Sequence, residues 1–552
     1  MTDTDTAHGA GTAVRGARRA AHPALILLVI AGAQMMVVLD GTIVNIALPS
    51  MGNYFSKSQT SMTWALNAYT LAFGGLLLLG GRAGDIFGRR RMFMIGLGLF
   101  TLGSFLGGIA TSFEFLIIGR IVQGIGGAIA SPTALSLITT SFEEGKERTR
   151  AFAVYAAVSG AGAALGLLLG GILTEYLSWR WVLFVNVPIG VVLIAGGFAY
   201  LHESERHEGR FDLLGGVLST VGMVGIVYGF IHAATDGWRS SVTLVTLIGG
   251  VVLLIVFFGY QAKARDPMLP LRVVLDRNRG GAYLVMLIVG AGMFGMFYFV
   301  TFFVQGVMLF SPLRAGFAFL PVAFVIGITS GVMTKLLPRY GPKPLIIAGT
   351  VLLTAAMFWY ARVDRHSGYL NMFLPGMIVM AIGMGCIFVP LTTVAVARVR
   401  NTDAGVASAM LNVGQQVGGS IGLSVLANAA ATAARSAAVS HRADQARAFA
   451  TLPRNLQPLV GKFLSGAGTR GPDQSQIAGF VKSLPQADQS TVSAYFTGPY
   501  RDLSSLIQAH ASGMGFLTAA IFGVASIVVS IVLINIKKDE VPDAPPLEAM
   551  AA

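Results

Sequence analysis

The chain has 552 residues, of which 54% are hydrophobic and 12% charged, with a formal net charge of +13. Soluble globular proteins carry about 25% charged residues, so the deficit excludes an ordinary soluble domain and indicates a membrane protein. The surplus of positive charge does not indicate nucleic acid, because the basic residues fall mostly in short loops beside apolar runs.

The polar N-terminal tail, residues 1–23, carries Arg15, Arg18 and Arg19. The apolar run after it is too long for a signal-peptide core and lacks a small-residue cleavage site, so it reads as an uncleaved first helix. In chain order, apolar spans are predicted near 24–49, 63–83, 92–111, 113–140, 150–174, 181–201, 213–235, 242–261, 281–306, 314–336, 344–361, 370–396, 403–430 and 511–536. Each is long enough to cross a hydrocarbon core about 30 Å thick as a helix. With the span-edge residues Arg82, Arg150, Lys335 and Arg314 counted with their adjoining loops, Lys and Arg total 24 in the two tails and the loops after the even-numbered spans, against 6 in the short loops on the other side. That asymmetry predicts a multi-pass protein of the cell membrane with both termini in the cytoplasm. The one long loop, 431–510, is polar and interrupted by prolines; it reads either as an irregular excursion or as a cap over the outward opening.

The first span contains Asp40, followed by Gly41, Thr42 and Asn45. A charge inside a membrane helix costs roughly 3 kcal/mol on insertion scales and marks function by default. The fourth span supplies Arg120. At about 1.5 Å of rise per residue, Asp40 lies about 14 Å below Pro49 and Arg120 roughly 10 Å into its own helix, so both occupy the outer half. The two charges are therefore expected to interact, since an unpaired buried charge costs far more than a paired one. Burial favours a neutral carboxyl and a nearby guanidinium favours the charged form. A movement that alters either influence loads or releases a proton. The pair is thus either a proton carrier or a static packing device.

After the second span, GGRAGDIFGRRR (Gly80–Arg91) reads as a hinge or a positive-inside anchor, and LLPRYGPKP (Leu336–Pro344) repeats it eight spans later, Gly88 and Arg90 matching Gly341 and Lys343. A six-helix repeat unit then requires two extra helices between the halves. In the fifth span, glycines 162, 166 and 170 recur every four residues, which suits close helix packing. Candidates for a substrate path are Asn45, Trp64, Asn67, Tyr69, Phe294, Phe297, Tyr298, Gln305, Asn412, Gln415 and Gln416, each with packing as the plain alternative. The eight histidines are scattered, one cysteine (Cys386) allows neither a disulfide framework nor a cysteine metal site, and no Gly-Lys-Ser/Thr occurs. No metal, no cofactor and no ATP-driven cycle are expected, and no catalytic constellation suggests an enzyme.

LDGTIVNIALP, GGRAGDIFGRRR, GRIVQGIGGAIASP, WRWVLFVNVPIG (Trp179–Gly190) and AGVASAMLNVGQQVGGSIG (Ala404–Gly422) together resemble the fourteen-helix drug:proton antiporters of the major facilitator superfamily, EmrB/QacA type. The resemblance implies an all-α integral membrane protein: an N-terminal six-helix bundle over 24–202, two linking helices over 203–262, a C-terminal bundle over 263–540, and a cytoplasmic tail, 541–552. It implies export of small lipophilic compounds against protons. Asp40 and Arg120 would serve proton coupling, Gly81, Asp85, Gly88, Arg89 and Arg90 the gating motif, and Gly162, Gly166, Gly170 and Gly171 the antiporter motif. Leu167 stands where that motif usually has proline, leaving antiport and symport open. Asn67 stands where some cation exporters carry an acid, which suits neutral, zwitterionic or monocationic substrates. A dedicated exporter of one lipid or metabolite is the alternative within transport, and a non-transporting receptor or scaffold the alternative outside it; any accessory protein is unspecified.

Overall fold

The computed structural model describes residues 23–143, 146–203, 211–397, 399, 404–466 and 474–536. Among them every regular element is helical, as apolar runs in lipid require, because a helix satisfies its own backbone groups. Fourteen helical segments are long and apolar enough to cross a membrane. The first half comprises α1 (Pro23–Phe55), α2 (Gln59–Phe87), α3 (Arg89–Gly108), α4 (Phe113–Ser141), α5 (Lys146–Tyr176), a short α6 (Trp181–Phe184) and α7 (Asn186–Tyr200). Next come α8 (Leu213–Asp236) and α9 (Ser241–Lys263), packed on each other. The second half holds a short α10 (Leu271–Val274), α11 (Arg277–Gly306), α12 (Pro312–Tyr340), α13 (Pro342–Tyr360) and α14 (Leu374–Val396), the last entered through a widened turn at Tyr369–Phe373. It closes with α15 (Ala404–Ser440), four short helices, α16 (Arg442–Ala450), α17 (Gln457–Gly466), α18 (Gln474–Ser483) and α19 (Gln486–Thr497), and finally α20 (Pro499–Val532).

Starts are set locally. Ser58, Ser112, Asp212, Asp276 and Ser311 each accept a hydrogen bond from the backbone N–H three residues on, capping α2, α4, α8, α11 and α12. The repeated loops share a backbone device as well as a sequence. Gly88 has φ +103° and Gly341 φ +75°, and each ends one helix and begins the next. Only glycine adopts that conformation without strain.

α1 to α5 and α7 pack as one bundle, and α11 to α15 with α20 as another, giving two six-helix bundles plus the linking pair α8–α9. The bundles meet along two seams, α2 against α15 and α5 against α12. At the face opposite the repeated basic loops, Gln305 Nε2 donates to Ile46 O at 3.0 Å, Leu313 N to Glu175 Oε2 at 2.8 Å, and Tyr298 Oη to Gln59 O.

Three boundaries differ from expectation. α1 continues through Pro49 to Phe55, α15 runs ten residues past 430, and α20 starts at Pro499 rather than near 511. Hydropathy marks where a helix leaves the apolar layer, not where its hydrogen bonding stops. The loop 431–510 is no irregular excursion. α16 to α19 gather Leu452, Leu456, Val460, Leu484, Val492, Tyr495 and Phe496 into a core of their own, with Phe463 stacked on Phe480 at 4.1 Å. This unit stands on the extended ends of α15 and α20.

Candidate functional site

Asp40 is fully buried at the centre of the first bundle, and Arg120 is 1% exposed. Arg120 Nη1 donates to Asp40 Oδ2 at 2.6 Å and to Gln123 Oε1 at 2.7 Å, while its Nε donates to Ala65 O at 2.9 Å. Gln123 Nε2 donates to Asp40 Oδ1 at 2.6 Å and to Ser104 Oγ at 2.8 Å. Asn186 Nδ2 gives Asp40 Oδ1 another donor at 3.1 Å. The Tyr69 ring closes the site, 4.5 Å from the guanidinium carbon of Arg120. Groups of α4 and α7 therefore bind the α1 carboxylate directly, and groups of α2 and α3 hold those partners.

Small residues make this convergence possible. A methyl group on Gly103 would lie 2.4 Å from Gln123 N, and one on Gly126 2.3 Å from Phe100 N, so only glycine lets α3 and α4 approach this closely. One on Gly124 would lie 2.5 Å from Tyr69 O, which draws α2 in as well. Asp40 and Arg120 stand out in the sequence as charges in apolar runs; Gln123, Ser104 and Asn186 do not. Gln123 follows Arg120 by one helical turn on the same face, and Asn186 lies within the tryptophan-rich motif, which were the available signals.

The residues of the Gly80–Arg91 stretch cluster at the α2–α3 corner. Arg89 Nη2 lies 3.1 Å from Asp85 Oδ1, and Arg90 Nη2 donates to Phe198 O at 3.0 Å. The backbone N–H groups of Arg90 and Arg91 both donate at 3.1 Å to the carboxylate of Glu203, a residue the motif does not contain. This acid caps α3 where the helix dipole favours negative charge. Gly81 faces Pro132 of α4.

Along α5, Gly162, Gly166 and Gly170 lie on α1, against Met35, Leu39–Thr42 and Ile43, and Gly171 turns instead to Leu313 of α12. The glycines of this motif thus serve two contacts: three hold α5 to α1, and the fourth joins the bundles.

The residues read as lining a path divide in two. Asn45, Asn67, Tyr69 and Tyr298 are buried. Asn45 donates to Gly41 O at 3.0 Å, Asn67 to Ser424 Oγ at 3.0 Å, and Thr70 shares a hydrogen bond with Ser420 beside it. With Gln305, Asn67 and Tyr298 serve as struts between bundles, and Trp64 packs towards Tyr228 of α8 at 6.0 Å. Phe294, Phe297, Asn412, Gln415 and Gln416 are half-buried. Gln415 Nε2 reaches Met293 Sδ at 3.5 Å, and Phe297 packs on Phe319 at 5.4 Å. No group of three or more metal-binding side chains occurs among the described residues.

Residues 30–423 match the family model described as Major Facilitator Superfamily. A puromycin resistance protein of Streptomyces alboniger is 45% identical over 400 residues, covering 71% of this chain and 79% of that one. A cephamycin export protein of Amycolatopsis lactamdurans is 38% identical over 420 residues, covering 74% and 86%. An MFS-type transporter of Mycobacterium tuberculosis, EfpA, is 38% identical over 396 residues, covering 71% and 74%. Among solved structures, an inward-facing bacterial homologue of the lysosomal transporter Spinster aligns with a TM-score of 0.56 at 17% identity, covering 92% and 98%. The nucleoside transporter NupG aligns with 0.56 at 11% identity, covering 93% and 100%; at such identities the likeness is one of fold. Fourteen membrane helices, two bundles joined through a linking pair and a family match over most of the length lead to one assignment: the chain is a membrane transporter, not an enzyme, and belongs to the Major Facilitator Superfamily.

Proposed function

We propose that this protein exports small lipophilic compounds of the drug or antibiotic class across a bacterial cell membrane, driven by proton entry, with Asp40 as the proton-carrying group. The observation that carries the reading is the buried Asp40 carboxylate held by Arg120, Gln123 and Asn186. A packing device does not need a titratable group at the convergence of five helices. A group whose charge state organises those helices converts protonation into movement. The names of its relatives, a puromycin resistance protein and a cephamycin exporter, support the substrate class. In this reading the basic face is cytoplasmic, with both termini there, and the bundles are 24–202 and 263–540. The corner at Gly81, Asp85, Gly88, Arg89 and Arg90 is the inner gate, and Phe294, Phe297, Asn412, Gln415 and Gln416 line the path.

One carboxylate is sufficient machinery. The membrane potential supplies about 2.3 kcal/mol per charge per 100 mV, and each pH unit adds about 1.4 kcal/mol, so one proton sustains a severalfold to hundredfold gradient. The test is substrate accumulation by proteoliposomes under an imposed pH gradient, comparing the parent with Asp40→Asn. The variant is expected to bind substrate and to lose the gradient-driven accumulation; a variant that still concentrates substrate removes Asp40 from the role.

A further inference from the structure

The linking pair ends in a strap that reaches the junction of the two bundles near the basic face. Along the α2–α15 seam the helices pair in a regular antiparallel register. Asn67 meets Ser424, Thr70 meets Ser420, and a methyl group on Gly74 would lie 3.0 Å from Gln416 Cβ. Continued at one helical turn, about 3.6 residues, per step, the register brings Leu79 level with Met410, towards the basic loops. Two further side chains join them there, Met268 and Leu269, from the segment between α9 and α10. Both are buried in one apolar cluster with Leu79 and Phe257, against which Val406 and Met410 of α15 pack.

The strap is tied to the linking pair by a buried polar couple. Asp212, which caps α8, accepts at Oδ1 from Gly215 N at 2.9 Å and at Oδ2 from Gln261 Nε2 of α9 at 2.6 Å. The same Oδ2 faces Met268 N at 3.5 Å, and Gln261 Oε1 accepts from Leu269 N at 3.0 Å. Asp212 and Gln261 are both buried. A methyl group on Gly215 would lie 2.4 Å from Asp212 Oδ2 and from Gln261 Nε2, so glycine is needed where the couple forms. Pro267 and Pro270 bracket the two apolar residues. Proline has no N–H and keeps the residue before it out of the helical region. Of the residues 267–270, the two that possess a backbone N–H thus turn it towards Asp212 and Gln261.

We infer that the strap 267–270 is a wedge, which holds the basic ends of α2 and α15 apart in this conformation, and that the linking pair α8–α9 is the arm that carries it. The opposite face is the one now closed, by Gln305 on Ile46 O and by Glu175 on Leu313 N. Alternating access requires the bundles to rock the other way, which brings the basic ends of α2 and α15 together. Close-packed interiors have no room for two large side chains in space that the helices then fill. The wedge therefore favours the state open to the basic face, and its release is a step of the transport cycle. The inference needs the transporter assignment alone, whatever the cargo.

A distance measurement tests it. In a Cys386→Ala parent reconstituted into liposomes, spin labels on Ile95→Cys of α3 and Gly331→Cys of α12 report how far the bundles stand apart; both positions are exposed and lie nearer the basic loops. Replacing the wedge by Met268→Ala with Leu269→Ala is expected to raise the ratio of short to long separations about tenfold, as two large apolar side chains lose their burial. The concentration of a membrane-partitioning bisbenzimide dye that gives half-maximal export is expected to rise severalfold, because the state open to the basic face is less populated. Should the double variant not fold, Gln261→Leu, which keeps both side chains and frees the strap, is expected to shift the ratio in the same direction by less. Leu456→Ala, in the α16–α19 core, is the control and is expected to leave the ratio unchanged. A lower melting temperature with an unchanged ratio in the strap variants would make the strap a static fastening and overturn the wedge, as would a shift towards long separations. A parent that exports no dye counts against the export reading alone, since the separations are read without it.

Discussion

At the scale of residues, the Asp40–Arg120 pair is 2.6 Å long and almost completely shielded. Removing one partner of a buried pair costs about 3–5 kcal/mol, because the survivor is left uncompensated. Arg120→Ala is therefore expected to lower the melting temperature in detergent more than Asp40→Asn, which keeps one acceptor oxygen for Arg120 while Arg120 keeps its bond to Ala65 O. Gln123→Leu removes bonds to Asp40 and Ser104, at about 1–3 kcal/mol for the groups left unsatisfied. Thermal unfolding followed by fluorescence is expected to place it between those two. The charged members were legible in the sequence because full charges are rare in apolar runs. Ser104 and Asn186 were not, since neutral polar residues recur throughout membrane helices and nothing local says which of them point at one another.

At the scale of elements, close approach decides more than propensity does. Gly103→Val would press a branched side chain onto the backbone of α4. Overpacking typically costs about 1–3 kcal/mol, and here it would also draw Gln123 away from the carboxylate, so both melting temperature and dye export are expected to fall. The α16–α19 unit has its own core and stands on α15 and α20. Replacing 442–497 by a short flexible linker is expected to leave export unchanged, and a loss of export in a correctly inserted variant would favour the cap. The spans were legible from hydropathy and the α2–α3 and α12–α13 corners from their repeat. The extensions of α15 and α20 were not, because their polar helical turns lie where hydropathy carries no signal.

At the scale of the whole molecule, which helices meet across the bundles had no counterpart in the sequence. Gly171 and Leu313, or Asn67 and Ser424, are neutral residues separated by long stretches of chain. Membrane helices associate through small residues and hydrogen bonds rather than a hydrophobic drive that hydropathy could register. Gly316→Leu would hold α12 away from Leu167. It is expected to abolish export and to raise thiol labelling at the face opposite the basic loops, read with a charged methanethiosulfonate on a cysteine at Gln305. Unchanged labelling there would mean that the α5–α12 contact does not keep that face shut.

The Asp40 site has a further consequence in the arithmetic of donors and acceptors. The carboxylate accepts from Arg120, Gln123 and Asn186 at once. On taking a proton it keeps one good acceptor oxygen and acquires a hydrogen to place, so the site passes from balance to a surplus of donors. Beside it, Asn186 Oδ1 is a buried oxygen without a hydrogen-bond partner among the described residues. A half-turn of that amide offers the oxygen to the new hydrogen and withdraws a donor in the same motion. The first residue of α7 thereby becomes the natural place for a single proton to be felt as a change of shape.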